Sequence, residues 1–199
     1  KLTVQNLIDL NQLVHDLKQS STLGVRIARN KVKVLDAGLV FYGDSAFANA
    51  EGERSQCGLV GALTHDPEQV GCGNFSYCIP LTWGSGRVRR VVLSTLSAEA
   101  YAISEASEYG EWYRQVLTEL RMAARLGKGP PSLKEVEKEA GKVKMTIYTD
   151  SKNLEETVAK DAGVVQDKRL RIVVSMLRET FSGFGSLLKW IPTHTMVAD

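Results

Sequence analysis

The sequence predicts an α/β domain: a mixed five-stranded sheet, three antiparallel strands plus parallel ones, with helices on its faces. Three observations predict it. Between residues 38 and 83, three short apolar runs alternate with turn residues; after residue 90 the apolar period lengthens to that of a helix; strand-like runs return near residues 143 and 186 with helical stretches between them. Consecutive strands with short links pair antiparallel, whereas a strand reached through a helix can join the sheet in parallel by a crossover.

Taken in order, residues 3–18 place Val4, Leu7, Ile8, Val14 and Leu17 near helical spacing, with Thr3 positioned as N-cap. Ser20, Ser21, Thr22 and Gly24 break that helix, and a boundary near residue 36 divides a lead-in segment, 1–35, from a domain, 36–199. Strands are expected at 38–42, 56–63 and 77–83, with a loop at Gly71–Gly73. A long helix over 95–125, capped by Ser94 or Thr95, sets Ala98, Ala102, Ala106, Tyr109, Tyr113, Val116, Leu117 and Leu120 on one broad face. The Gly/Pro break and charge-dense run at 127–142 reads as a surface insertion with one helical turn and a solvated charged face. Val143, Met145 and Ile147 then alternate with Lys144, Thr146 and Tyr148 in a strand that ends at Asp150. Asn153 with Glu156 forms a capping-box pattern for a helix over 153–160. Asp167 caps another that carries Leu170, Val173, Val174 and Leu177 and stops at Gly183 and Gly185, and a last strand over 186–191 is closed by Pro192.

Composition narrows the function classes. The 199 residues, 43% of them hydrophobic, can supply a real core. Twenty-five Lys and Arg against 23 Asp and Glu leave a formal charge of +2, which excludes a general cationic coat and confines nucleic-acid contacts to local patches. Cys57, Cys72 and Cys78 are odd in number and lack CxxC spacing, so neither a disulfide framework nor a zinc site is expected. No apolar run reaches the length of a membrane span and no secretion-signal layout opens the chain, so a soluble intracellular protein with no membrane partner is expected.

Four acids stand in separate contexts: Asp44 in VFYGDSAFA, Glu99 in STLSAEAYAISEA, Asp150 in MTIYTDSKN and Asp199 in LLKWIPTHTMVAD. In a mixed sheet, Asp44 just after strand one, Asp150 just after strand four and Glu99 near the start of the long helix can converge. Such a set makes an all-oxygen site of the kind Mg²⁺ prefers, and imidazole or thiolate ligands would favour softer metals.

The ordered blocks FYGDSAFAN, SQCGLVGAL, IPLTWGSGRVRRVVLSTLSAEAYAISEA, IYTDSKNL, DKRLRIVVSMLRE and WIPTHTMVAD resemble the ribonuclease H domain of Ty1/copia-type retrotransposon reverse transcriptase polyproteins over residues 36–199. Residues 1–35 resemble the connection that joins the polymerase part to that domain. The resemblance implies a ribonuclease H-like fold and endonucleolytic cleavage of the RNA strand of RNA–DNA hybrids by two Mg²⁺ ions, with Mn²⁺ able to substitute. It implies metal-holding carboxylates at Asp44, Glu99, Asp150 and Asp199. It further implies a reverse transcriptase polymerase domain of the same polyprotein as partner, in the cytoplasm within a virus-like particle or in the nucleus.

His194, in the loop after the last strand, is similar in placement to a mobile histidine of cellular ribonucleases H and is a further catalytic candidate, since imidazole titrates near neutral pH. His15 and His65 read as structural. For substrate, Arg87, Arg89 and Arg90 beside Trp83, and Lys168, Arg169 and Arg171 at a later helix start, could neutralise phosphates. The resemblance puts contact with RNA 2′-hydroxyls around Ser45, Arg54, Ser55 and Gln56.

Three departures stand against the family pattern: the sequence stops at Asp199, where the family continues into a helix that fixes the last aspartate; the 64–77 loop is enlarged; and the 127–142 insertion has no family counterpart. The alternative class is therefore a catalytically degenerate ribonuclease H fold serving as a nucleic-acid or protein interaction module. Polymerase chemistry is excluded for this segment, because YGDS around Asp44 has one Asp where a polymerase turn needs two adjacent acids.

Overall fold

The computed structural model describes residues 3–22, 27, 31–50, 54–72, 76–88, 91–126, 131–160, 165–183 and 185–199. After helix α1 (Val4–Gln19) come strands β1 (Gly38–Ala50), β2 (Arg54–Thr64) and β3 (Cys78–Arg87), then helices α2 (Thr95–Leu126) and α3 (Leu133–Ala140). Strand β4 (Met145–Thr149), helices α4 (Lys152–Ala159) and α5 (Lys168–Ser182) and strand β5 (Ser186–Trp190) complete the order. The five strands form one sheet in the order β3-β2-β1-β4-β5. The β1–β2 and β2–β3 pairs are antiparallel, and β1–β4 and β4–β5 are parallel. In strand number, strand direction and flanking helices this is the mixed five-stranded sheet that the sequence predicts.

Alternation along β1 assigns its two faces. Leu39 and Phe41 meet Ala100, Ile103 and Ala106 of α2 in the larger core, which extends to Leu154, Val174 and Leu177. Val40 and Tyr42 face the other way, into a smaller cluster with Tyr148, Ile191 and Met196. Tyr42 and Tyr148 are register partners across the β1–β4 pair, and their rings stack with centroids 5.3 Å apart. Fully burying each such side chain stabilises the fold by about 1.5–3 kcal/mol, so the middle of β1, like the buried strand β4 beside it, is firmly anchored.

Several boundaries differ from expectation. Strand β1 does not stop at residue 42: pairing with β2 continues through Ala46, with a register shift before Ala50, so Asp44 lies inside the strand opposite Gly58. Strand β3 likewise runs on to Arg87, which is therefore on the strand and not in the link to α2. Where a single helical turn is expected, α3 runs for eight residues and buries Val136 and Ala140, four residues apart, while its charges stay wet. Helix α4 is capped by the Ser151 hydroxyl, which accepts from Leu154 N–H, and not by the Asn153–Glu156 box. On α2 the buried stripe runs through Ala102, Ile103, Ala106 and Leu117, leaving Tyr109 and Leu120 facing solvent.

The expected caps at Thr3 for α1 and Asp167 for α5 are present. Helix α1 buries none of its residues; Leu7, Leu10, Leu13 and Leu17 are all exposed. From the lead-in segment, Val32 joins the main core and the Lys33 N–H donates to His65 Nε2 at 3.0 Å. His15 lies on α1 with its Nε2 2.8 Å from Gln19 Nε2. Among the described residues no helix is long and apolar enough to cross a membrane.

Candidate active site

Parallel register builds the first half of the site. Tyr42 of β1 sits beside Tyr148 of β4, so two residues further on, on the same face by the period of two, Asp44 comes beside Asp150. The second half comes from α2. Gly43 lies one position before Asp44 on the α2 side, where a Cβ would fall 3.0 Å from Ile103 Cδ1 and 3.1 Å from the Ala102 carbonyl oxygen. The missing side chain lets the helix close on the strand, and Glu99, one turn earlier, reaches the end of the sheet.

The result is a cluster in which carboxylate oxygens of Asp44, Glu99 and Asp150 all lie within 4.8 Å of one another. Glu99 is only 9% exposed. Its Oε1 accepts a hydrogen bond from the Ser45 hydroxyl at 2.7 Å, whereas its Oε2 is buried without a protein partner. Burial pushes the Glu99 carboxyl up to about 7; the Ser45 hydroxyl opposes that rise, and the charges of Asp44 and Asp150 add to it. The Asp44 carboxyl is likewise raised, first by burial and then by Asp150 and Asp199, against the pull of the Ser45 N–H on Asp44 Oδ1 at 2.8 Å. Asp150 is held at two points: Thr193 Oγ1 donates to its Oδ2 at 2.8 Å and Trp190 Nε1 donates to its main-chain oxygen at 2.9 Å.

Asp199 stands outside the three-carboxylate group, exposed, yet near enough for its charge to act on Asp44. The C-terminal segment approaches because β2 presents Gly58 opposite Asp44: a Cβ there would collide with the Ala198 main-chain oxygen. His194 lies exposed in a short 3₁₀ turn, Thr193–Thr195, next to the threonine that binds Asp150. Sequence reading singled out His194 and passed over Thr193, Trp190 and Gly58. Thr193 and Trp190 carry one local signal, their place in and beside the IPTHT turn; Gly58 carries none.

The substrate-contact candidates are spread out. Ser45 turns its hydroxyl onto Glu99, and Ser55 is fully buried, its Oγ accepting from the Ala48 N–H at 3.2 Å. Gln56 donates to Ser85 Oγ at 2.7 Å, and Arg54 is exposed at the start of β2. Lys168 and Arg169 open α5 on the surface, with Arg171 behind them donating to the Val165 carbonyl at 3.1 Å. Arg87 and Arg169 line a cavity of about 620 Å³ between the ends of β2 and β3, α2 and α5, which also takes in Glu105, Glu108 and Tyr109. Arg89 and Arg90 lie outside the described residues. None of the three clustered carboxylates lines that cavity.

No protein-family model and no curated protein matches this chain. Among solved structures it is similar to the ribonuclease H1 of the halophilic archaeon Halobacterium salinarum, at 18% identity and a TM-score of 0.45, over 80% of this chain and 89% of that one. It is similar to the N-terminal ribonuclease H domain of Rv2228c from Mycobacterium tuberculosis, at 14% identity and a TM-score of 0.47, over 80% and 86%. A third likeness is to the foamy viral protease–reverse transcriptase solved with an RNA/DNA hybrid, at 12% identity and a TM-score of 0.47, covering all of this chain and 26% of the viral one.

Proposed function

We propose that this chain is a metal-dependent ribonuclease H that cuts the RNA strand of RNA–DNA hybrids at the Asp44–Glu99–Asp150 cluster. The observation that carries this is the mutual approach of three carboxylates within 4.8 Å, one of them with a buried, unpartnered oxygen. Like charges packed this closely raise one another's proton affinity, and a hard divalent cation is the ligand that offsets the crowding. Asp44, Glu99 and Asp150 would hold Mg²⁺, or Mn²⁺ in its place, with Asp199 completing the set from the rim. When bound, a pair of such ions would activate water and neutralise charge at the leaving oxygen of a phosphodiester.

The protein's own work is placement. Adjacent parallel strands fix Asp44 against Asp150, Thr193 and Trp190 hold Asp150, and Ser45 holds Glu99. Lys168 and Arg169, with Arg87, Arg89 and Arg90, would bind phosphates of the flanking duplex, and His194 would handle protons beside Asp150. The six ordered sequence blocks support the hybrid as substrate and a Ty1/copia-type polyprotein as context, with the polymerase domain as partner and residues 1–35 as the connection to it. In that context the enzyme works inside the cell, in a cytoplasmic particle or the nucleus.

The test is cleavage of an end-labelled RNA–DNA hybrid in Mg²⁺, with Asp44→Asn, Asp150→Asn and chelator as controls. Cutting that both variants and chelator abolish is the expected result. Hybrid binding without cutting would instead support the degenerate interaction module, and cutting of duplex DNA would point to another nuclease of the same fold.

A further inference from the structure

We infer that Ser45 is a positioning residue that aims the Glu99 carboxylate at the metal, an inference that rests on the nuclease reading above. Consecutive residues of a strand point to opposite faces, so Asp44 and Ser45 divide the work of β1. Asp44 faces Asp150 while Ser45 faces α2 and donates from Oγ to Glu99 Oε1 at 2.7 Å, a contact between residues 54 apart in sequence. The terminal torsion of a glutamate is soft and nearly two-fold, so burial alone leaves the carboxylate free to rotate. The hydroxyl removes that freedom. With Oε1 committed to Ser45, the oxygen left without a partner is Oε2, buried and available to a cation.

The same residue also steadies the neighbouring ligand. Its main-chain N–H donates to Asp44 Oδ1 at 2.8 Å, so Ser45 touches two of the three clustered carboxylates, one through its backbone and one through its side chain. Only the second contact depends on residue type, and substitution therefore isolates it. Outer partners that orient metal-binding side chains typically change metal affinity or activity by roughly 10–100-fold when removed.

The experiment measures Mn²⁺ binding by calorimetry on the metal-free protein without nucleic acid, alongside hybrid cleavage, for Ser45→Ala, Ser45→Cys and Ser45→Thr. Ala and Cys, which lack a strong donor, should each weaken Mn²⁺ binding by roughly tenfold or more, and Thr should restore it to within about threefold of the parent. The KM for hybrid should stay within about twofold, with the loss in kcat recovered at higher metal concentration. If Ala fails to melt cooperatively, the isosteric Cys variant gives the reading. Unchanged Mn²⁺ affinity in both, or a loss confined to the hybrid KM, would overturn the inference and make the hydroxyl a substrate contact. A parent protein that neither binds Mn²⁺ nor cuts hybrid would overturn the nuclease reading itself.

Discussion

Strand β1 is two different materials joined end to end. Leu39, Val40 and Phe41 are fully buried, clamped by α2 on one face and by the Tyr42–Tyr148 stack on the other. Three residues later the same strand carries Asp44 and Ser45, half-buried among carboxylates whose mutual proximity is electrostatically unfavourable. The apolar half keeps the polar half in a geometry that electrostatics alone would disperse. Stability and activity should therefore separate along a single strand, and substitutions on its two sides can break or sharpen that division.

The largest effect is expected from Asp44→Asn: hybrid cleavage should fall by at least about 1,000-fold, the equivalent of roughly 4 kcal/mol, while the thermal midpoint of the metal-free protein holds or rises. A coincident loss of folding would mean that the acid is structural. Phe41→Ala should do the reverse, costing about 3–5 kcal/mol in denaturant unfolding and leaving turnover per folded molecule nearly intact. Gly58→Ala tests the contact that brings the C-terminal segment over β2; lifting Ala198 away should cost up to about 3 kcal/mol in denaturant unfolding, and half-maximal hybrid cleavage should need more Mg²⁺ because Asp199 moves off.

The pH response comes next. Glu99 ionises at about 7 in the folded chain against an ordinary 4.5, so below pH 4.5 it is protonated in both states and its contribution is fully present. As pH rises from 4.5 through 7 the unfolded chain loses its proton first, and the folded state is progressively penalised. The metal-free protein should thus be less stable at pH 8 than at pH 5 by about 2 kcal/mol from this group, and Glu99→Gln should flatten the profile. The smallest effect, about 1 kcal/mol of metal affinity, is expected for Thr193→Val, which removes only the hydroxyl on Asp150 and is read by Mn²⁺ titration.

Legibility in the sequence followed the range of the interactions. The Asp44–Glu99–Asp150 set was readable because each acid sits at a change of local pattern, and the helix caps at Thr3 and Asp167 were readable because they act within three residues. The extension of β1 past residue 42 was not, since the hydrophobic alternation ends there while pairing to β2 goes on through backbone hydrogen bonds that any residue can make. Helix α3 is longer than the single turn the sequence suggests, a shortfall that arises because its charges outnumber its buried stripe of Val136 and Ala140. For α1 the periodicity gave the helix correctly but could not tell whether its apolar side has a partner, and the described residues cover none of it. The contacts of Ser45 with Glu99 and of Gly58 with Ala198 join distant segments and leave no local mark.

The position of Ala198 over Gly58 has a practical corollary. The segment that ends at Asp199 leaves the fold beside Asp44, at the mouth of the proposed site. On the nuclease reading proposed above, a fusion partner or purification handle placed there would stand where the duplex would dock, and the linker behind it would tune turnover.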